Sequence, residues 1–483
     1  MSPLLTPERA NRMAIGLARA RGLSYPEAEA MLRSLTLRIV WTLPGSGTLA
    51  QQLALLTAAN TAARAFLGGV NVELPEAVPL LPSIPGVKTL NAAVLWAGVA
   101  SVPISNPTCT LYLGAPAAVA RPDDIRIFCD AWRGGVGDVS QPVDFKIGDQ
   151  DALGLGGIYA GALGVHRAFV RAADLPGQCL DEAVGLSLWD PSADWRMPVE
   201  NTQLRQLPIR YWMLGLGHLG QGYLWSLAFL PFPKREETEF LLHDFDRIDG
   251  SNFGSGLLCV AGALGRMKTR HCAGWLENLG FSTRLTERRF TTRDRREASE
   301  PAVGFSGFDN VAARAGIDTA DLGLVLESGL GGTLSDFDQI DLHTFPNSRH
   351  TAKSLWGTFS DQKRTVSEAV AQLFMPANEV CGALAIDIAG KSVSTSFVGA
   401  IAGALATAEM LRIFNRGLSF DEASIDLRNP RRSSRVVAMR RFTASELATM
   451  GVVSISPQLL PSNNDTKWPE STSRSLHIVE TVS

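Results

Sequence analysis

Residues 211–220 read Tyr-Trp-Met-Leu-Gly-Leu-Gly-His-Leu-Gly, an apolar run that leads directly into a glycine-rich turn. The apolar residues predict a buried strand, and the G-x-G-x-x-G pattern before further apolar residues predicts a turn into a helix. In such a turn Gly215 permits the tight bend, Gly217 lets a phosphate approach the backbone, and Gly220 lets the helix pack on the strand. The stretch therefore predicts a Rossmann-like α/β fold with a nucleotide phosphate at the helix N-terminus.

Several polar residues follow the glycine turn at intervals that suit a nucleotide site. The predicted second strand ends in Asp244-Phe-Asp246, where a carboxylate accepts hydrogen bonds from ribose hydroxyls. Asn252 and Lys268 come next, and Asp309 follows in the sequence Gly-Phe-Asp-Asn. An NAD-dependent oxidoreductase uses the same glycine turn and ribose carboxylate, so these two features alone leave that class open.

A lysine and a further acid behind the turn favour adenylation. An oxidoreductase leaves its pyrophosphate intact, whereas carboxylate attack on the α-phosphate of ATP builds negative charge on the non-bridging oxygens and on the departing pyrophosphate. A cation such as Lys268, together with Mg²⁺ held by Asp309, would stabilise that charge. Each of these residues alone is typical of an ordinary surface lysine or turn aspartate, and only their order behind the turn points to catalysis.

The same run of residues resembles the adenylation domain of ubiquitin-activating and ThiF-type enzymes. The resemblance rests on GLGHLG at 215–220, HDFDRIDGSN at 243–252, GRMK at 265–268 and FDNVAAR at 308–314. It implies a cofactor-binding set in which the glycines cradle ATP, Asp244 binds ribose and two further residues contact the phosphates. The implied set is Gly215, Gly217, Gly220, Asp244, Asp246, Asn252 and Lys268, with Asp309 as the Mg²⁺ ligand.

One position departs from the family pattern. After Ser-Asn the pattern places an arginine three residues on, and Ser255 stands there in this chain. Two explanations stay open. Another arginine supplies the charge, from the first part of the chain or from a second subunit, or catalysis is weaker.

Cys381 lies in Asn-Glu-Val-Cys-Gly, shortly before an Ala- and Gly-rich helical stretch. In the similar autophagy-type activating enzymes a catalytic cysteine occupies a crossover loop, so the resemblance implies that Cys381, in a crossover loop at about 345–395, is the nucleophile. A thiolate attacks an acyl-adenylate readily and leaves readily to a second thiol. The alternative that Cys381 is a small packing residue stays open.

The chain is predicted to divide near residue 205. Residues 1–205 are interpreted as a degenerate, inactive adenylation-like α/β domain, 206–450 as the active domain and 451–483 as a polar tail. No G-x-G-x-x-G motif follows a strand before residue 205, but Ala-Gly-Ala-Leu at 160–163 recurs at 402–405. The repeat indicates two copies of one unit, or two Ala/Gly helices that merely look alike. Helices are also predicted at 25–39, 49–67, 154–173 and 396–415.

Composition limits the remaining function classes. The 483 residues have a formal net charge of −3, which predicts neither a nucleic-acid partner nor a membrane partner. The six cysteines are scattered without a C-x-x-C pair, as expected for reduced thiols in a cytoplasmic protein. The apolar run 400–414 is shorter than a membrane span and predicts a buried helix. His218 and His243 stand alone and are interpreted as satisfied polar residues rather than ligands.

These observations predict an enzyme that adenylates the C-terminus of a ubiquitin-like protein with ATP and Mg²⁺, forms a thioester on Cys381 and transfers it to a conjugating enzyme. A homodimer is compatible with this prediction. Three alternatives remain at this point. They are an adenylyltransferase that activates a sulfur-carrier protein or peptide without a covalent cysteine, an NAD-dependent oxidoreductase, and a pseudoenzyme scaffold, which Ser255 favours.

Overall fold

Two large mixed β-sheets with helices packed against them, and a short two-stranded sheet, form the described part of the protein. The structure is a computed structural model and describes residues 10–148, 153–176, 182–200, 202–357, 368–374, 392–430, 433–439 and 442–455. The helices are α1 (Arg12–Arg21), α2 (Tyr25–Ser34), α3 (Leu49–Ala65), α4 (Leu90–Trp96), α5 (Leu155–Ala172), α6 (His218–Ala228), α7 (Lys268–Glu277), α8 (Val311–Ala315), α9 (Ala352–Trp356), α10 (Glu368–Gln372), α11 (Ser396–Phe414) and α12 (Ala444–Ala448).

The strands fall into an N-terminal unit, β1 to β6, and a C-terminal unit from β7 onward. They are β1 (Thr36–Trp41), β2 (Gly69–Glu73), β3 (Cys109–Leu113), β4 (Ile125–Cys129), β5 (Arg133–Asp138), β6 (Val184–Ser187), β7 (Gln206–Pro208), β8 (Arg210–Leu214), β9 (Glu239–His243), β10 (Ser282–Thr286), β11 (Val303–Ser306), β12 (Leu324–Leu330), β13 (Gln339–Phe345), β14 (Phe420–Asp426), β15 (Ser434–Val437) and β16 (Val452–Ser454).

The two sheets share one topology. The C-terminal sheet has the order β10-β9-β8-β11-β12-β13-β14-β15, and its first five strands are parallel. Counted from β8, these five strands follow the Rossmann order 3-2-1-4-5. The N-terminal sheet has the order β2-β1-β3-β4-β5-β6, with parallel pairing up to β4 and antiparallel pairing beyond it. It repeats the C-terminal arrangement without the counterparts of β10 and β15. The predicted α/β, Rossmann-like class is confirmed.

The helices repeat in the same way. Helix α3 follows β1 as α6 follows β8, and α5 lies between β5 and β6 as α11 lies between β13 and β14. Gly161 of α5 faces the backbone of Ala54 in α3, and Gly403 of α11 faces the backbone of Gly222 in α6. A Cβ on either glycine would approach the facing carbonyl oxygen closer than 3.0 Å. The recurring Ala-Gly-Ala-Leu therefore occupies equivalent packing sites, which favours duplication over chance likeness.

The two units bury a common core. Helices α5 and α11 pack on each other, and one cluster of buried apolar residues extends through both units. Polar contacts cross the same boundary. His166 of α5 lies 2.8 Å from the carboxylate of buried Asp338, which also accepts a hydrogen bond of 2.7 Å from Arg428. Thr57 of α3 accepts a hydrogen bond of 2.9 Å from the indole of Trp225 in α6.

Helix α11 illustrates how deep this core is. By length and composition it could cross a membrane, but all of its residues are buried inside the protein. A core helix of a globular protein meets the same criteria, as the sequence predicted for the run 400–414.

Two local predictions were wrong. The helix expected over 25–39 ends at Ser34, and Thr36–Trp41 forms the central strand β1 with alternating burial. The segment 451–483, expected as a polar tail, begins with β16, which pairs with β7, and Ile455 is buried. In β1 an apolar alternation with a period of two favours a strand. In β16 the pairing with β7 fixes the strand.

Candidate functional site

The glycine turn between β8 and α6 leaves a helix end open. Gly215 has a φ of +87°, which favours glycine. Gly220 packs against the carbonyl of Gly215, where a Cβ would come closer than 3.0 Å. Gly217 is the N-cap of α6 without any side-chain cap, and a Cβ there would meet nothing within 4 Å. The first amides of α6 therefore face an unfilled space, as an anion site requires.

The equivalent turn of the N-terminal unit is closed. Thr48 caps α3, with its hydroxyl accepting from the Gln51 amide at 3.3 Å while the Gln51 side chain accepts from the Thr48 amide at 2.9 Å. The ring of Trp41 lies against Gly47, where a Cβ would come closer than 3.0 Å. The amides of Thr48 and Gln51 in the N-terminal turn are therefore bonded to side chains, whereas α6 has no side-chain cap.

Asp244 connects the end of β9 to the glycine turn. Its carboxylate accepts hydrogen bonds from the amide of Leu216 at 2.6 Å and from the amide of Asp246 at 2.8 Å. Burial raises the pKa of Asp244, and the charge of Lys268 works against that rise. The predicted ribose carboxylate is therefore fixed beside the turn by backbone donors.

Lys268 is the first residue of α7 and lies between the acids. Its Nζ is 2.9 Å from Asp246, and only 9% of the residue is exposed. Burial alone would lower the pKa of Lys268, but the charges of Asp244 and Asp246 and the hydrogen bond to Asp246 outweigh burial, so the pKa is raised. Lys268 is therefore a buried, charged ammonium group next to the nucleotide turn.

Asn252 and Asp309 lie on two loops of this site. Asn252 accepts a hydrogen bond of 3.0 Å from the Asp249 amide within a 3₁₀ turn. Asp309 is exposed, two residues beyond Gly307, whose backbone lies against Gly220. Within the described ranges no group of three or more His, Cys, Asp and Glu residues forms a metal cluster. A single carboxylate suits Mg²⁺ that arrives with phosphate oxygens as its other ligands.

The N-terminal unit contributes an arginine that the sequence did not identify. Arg12, the first residue of α1, donates a hydrogen bond of 3.2 Å to the hydroxyl of Ser251. Ser251 in turn donates to Asp249 at 2.7 Å. Ser255 is buried at the place where the family pattern has an arginine. Arg12 therefore brings a guanidinium group to the loop whose own arginine is missing.

A second arginine of the N-terminal unit donates hydrogen bonds to backbone carbonyls of the same loop. Arg64 of α3 is buried and donates to the carbonyls of Gly256 at 2.8 Å, Leu257 at 2.6 Å and Cys259 at 3.0 Å. Burial lowers the pKa of Arg64 to about 10. Asn60 adds a hydrogen bond of 3.2 Å to the carbonyl of Leu257. Sequence separations of nearly two hundred residues hid these contacts from motif analysis.

Cys381 lies outside the described residues, so its place relative to the turn stays a prediction. Four other cysteines, Cys109, Cys129, Cys259 and Cys272, are free and buried. Burial raises the pKa of each of these thiols, which makes all four poor nucleophiles at neutral pH. The interpretation of Cys259 and Cys272 as packing residues agrees with their burial.

The lysine distinguishes this site from that of a dinucleotide-dependent oxidoreductase, which has no use for a cation buried between carboxylates at an open helix end. Sheet order and site together place the protein in the class of E1-like adenylation folds.

The chain belongs to the BilD family of bacterial E1-like proteins. The family models for the BilD N-terminal domain and the BilD C-terminal domain match residues 37–188 and 207–417. The bacterial E1-like protein BilD of Collimonas sp. (strain OK412) is 34% identical over 380 residues, which cover 77% of this chain and 81% of the relative.

Solved structures with a related fold are more distant. Escherichia coli MccB in complex with ATP is 14% identical over 49% of this chain and 65% of its own, with a TM-score of 0.31. PaaA is 13% identical over 48% of this chain and 64% of its own, with a TM-score of 0.33. The chain thus spans just under two thirds of the length of either protein.

Proposed function

We propose that this protein uses ATP to adenylate the C-terminus of a ubiquitin-like protein, forms a thioester with it on Cys381 and passes it to a conjugating enzyme. The observation that carries the proposal is Lys268, buried and charged between Asp244 and Asp246 beside the open end of α6. Membership of a family of E1-like proteins supports the same chemistry.

In the first step an oxygen of the substrate's C-terminal carboxylate attacks the α-phosphorus of ATP. The new bond joins that oxygen to phosphorus, the bond to the bridging oxygen of the β-phosphate breaks, and pyrophosphate leaves with the bonding electrons. Negative charge grows on the α-phosphate oxygens and on the leaving group. The amides of α6, which have no side-chain cap, and the ammonium group of Lys268 would stabilise that charge.

The remaining residues bind the reactants. Asp244, already held by the Leu216 amide, would accept hydrogen bonds from ribose hydroxyls. Asn252 and Arg12 would contact phosphate oxygens from the loop after β9, with Arg12 in the role of the absent loop arginine. Asp309 would hold Mg²⁺, which neutralises phosphate charge when bound.

In the second step the thiolate of Cys381 attacks the carbonyl carbon of the acyl-adenylate. A carbon–sulfur bond forms, AMP leaves, and the thioester is then exchanged onto a thiol of the conjugating enzyme. Cys381 would act from the predicted crossover loop at about 345–395. The protein would be cytoplasmic, where thiols stay reduced.

The N-terminal unit, predicted over residues 1–205, would be an inactive partner of the active domain at 206–450. Its turn is capped by Thr48 and Gln51. Its Arg12 and Arg64 contact Ser251 and Gly256 of the C-terminal unit. It would thus take the place of a second subunit within one chain, and a homodimer would not be needed to complete the site.

Pyrophosphate exchange and adduct mapping test this proposal together. The full chain is mixed with ATP·Mg²⁺ and candidate ubiquitin-like proteins, and exchange of labelled pyrophosphate into ATP is measured. Cys381→Ser should retain exchange but lose the thiol-sensitive adduct seen by mass spectrometry, while Cys259→Ser should retain both. Retention of the final product by Cys381→Ser would instead indicate activation of a sulfur carrier or peptide without a covalent cysteine. Absence of exchange with every partner would contradict adenylation itself.

A further inference from the structure

His218 occupies the first position of α6, directly after the N-cap Gly217. The glycine motif leaves this position free to vary, so the residue is not part of the fold requirement. Its Nε2 is shielded from solvent and has no hydrogen-bond partner in the part of the chain that the structure describes. A buried nitrogen without a partner has lost its hydrogen bond to water without gaining another, which is unfavourable. The orphan nitrogen thus suggests a ligand that is absent from the free protein.

Two cations act on this imidazole. Burial, with smaller contributions from the charges of Arg12 and Lys268, lowers the pKa of His218 to about 4. Arg12 comes from α1 and Lys268 from α7, where the latter is paired with Asp246 and close to Asp244. Gly399 of helix α11 lies against the backbone carbonyl of His218. The ring is therefore neutral in the free protein and lies in a positive environment.

We propose that His218 is a nucleotide-binding residue whose Nε2 meets a phosphate oxygen and that the imidazole takes up a proton when the nucleotide binds. The inference rests on the proposed function, because it assumes that the triphosphate occupies the turn. Uncapped helix amides, two cations and an unpartnered imidazole nitrogen all favour an anion at one place. A phosphate beside the ring supplies the opposite charge that stabilises the imidazolium form.

The consequence is a pH dependence of ATP affinity. In the free protein the pKa of His218 is about 4, and bound phosphate raises it. Between these two values binding takes up a proton, so affinity is highest at low pH and falls as the pH rises. One proton taken up corresponds to a change of about tenfold in affinity for each pH unit. Above the bound-state pKa the affinity no longer depends on His218.

The test compares His218, which is partly exposed but has a shielded Nε2, with His243, which is buried. ATP·Mg²⁺ is titrated into the full chain between pH 5.5 and 8.5, with the wild type, His218→Asn and His243→Asn. His243 also has a pKa of about 4 because of burial, and its Nε2 is bonded to the carbonyl of Arg288. Its Nδ1 has no partner among the described residues either, but His243 belongs to β9 and not to the uncapped end of α6. Protonation of ATP itself affects all three proteins equally, so the difference between variants isolates each imidazole.

The wild type and His243→Asn should lose affinity with rising pH more steeply than His218→Asn, by up to tenfold per unit. Calorimetry in buffers of different ionisation heat should show more proton uptake in the first two proteins than in His218→Asn. Equal slopes and equal affinities for His218→Asn and the wild type would overturn the inference. Failure of the wild type to bind ATP at any pH would instead refute the proposed function. If His218→Asn does not fold, histidine NMR of the wild type decides, since a midpoint unchanged by ATP overturns the inference.

Discussion

Replacement of single glycines in the nucleotide turn separates binding from folding. Gly217 has φ −68° and ψ −160°, an extended backbone that alanine adopts, and a Cβ there meets no atom within 4 Å. Alanine is a poorer N-cap than glycine, so Gly217→Ala should lower the free energy of unfolding by only about 0.5–1 kcal/mol. The added methyl group would nevertheless stand in the space from which a phosphate approaches the amides.

The effect on ATP binding should be much larger than the effect on stability. Loss of one or two hydrogen bonds from backbone amides to a charged phosphate amounts to roughly 2–4 kcal/mol. That range corresponds to about a 30- to 1,000-fold weaker Kd. Urea denaturation and ATP titration of the same preparation measure the two quantities side by side.

Two other glycines provide matched comparisons. Gly220→Ala forces a Cβ closer than 3.0 Å to the Gly215 carbonyl, so it should destabilise the fold by about 1–3 kcal/mol. Gly274 lies inside α7, and the nearest atom to its Cβ is Arg266 Nη2 at 3.9 Å. Gly274→Ala should add about 0.5–1 kcal/mol of stability and leave ATP binding unchanged. An affinity of Gly217→Ala within about twofold of the wild type would show that phosphate does not lie on this turn.

Three further substitutions examine other parts of the site and its support. Lys268→Met should reduce pyrophosphate exchange by roughly 100-fold or more, because a cation at the transition state is lost; exchange near the wild-type rate would remove Lys268 from the mechanism. Arg64→Ala should lower the free energy of unfolding by about 3–5 kcal/mol, since three loop carbonyls lose their donor, and Arg64→Lys should lower it less. Asp338→Asn should cause a comparable loss in urea denaturation at pH 7, because buried His166 and Arg428 lose their anion. Burial alone would raise the pKa of Asp338, but the contacts with His166 and Arg428 outweigh burial and lower it. The contribution of Asp338 to the free energy of unfolding is therefore complete above the ordinary aspartate pKa and disappears as the pH falls through the lowered pKa. A difference between Asp338→Asn and the wild type that stayed constant in strong acid would contradict this assignment.

The C-terminal sheet was the easier part to predict from sequence. Its strand, glycine turn and helix at 211–230 follow a local pattern whose physical requirements are short-range. The N-terminal unit lacks that pattern, and β1 was hidden because Leu35 and Ile39 continue the three-to-four-residue apolar spacing of α2. Only pairing with β2 and β3 makes Thr36–Trp41 a strand.

The residues of the site also divide into those that a local motif identifies and those that only tertiary contacts reveal. Asp244 and Lys268 follow the turn at recognisable distances, and the structure brings them together. Arg12 and Arg64 belong to no motif, because their partners lie on the other unit. His218 and His243 were interpreted as satisfied polar residues, but His218 Nε2 and His243 Nδ1 have no partner among the described residues, and only His243 Nε2 is bonded. Sequence identifies the residue type, but only packing shows whether a polar atom is satisfied.

The two equivalent turns suggest why the C-terminal unit would bind nucleotide and the N-terminal unit would instead support its loop. A side-chain cap stabilises a helix end by about 1 kcal/mol, and α3 has this stabilisation from Thr48. Helix α6 has no side-chain cap. A cap there would occupy the amides that a bound phosphate would need. Removal of the Thr48 cap would not restore a site, since the Trp41 ring still covers Gly47. With this turn closed, the N-terminal unit would affect the proposed ATP chemistry through Arg12 and Arg64, which contact residues 251–259 of the C-terminal unit.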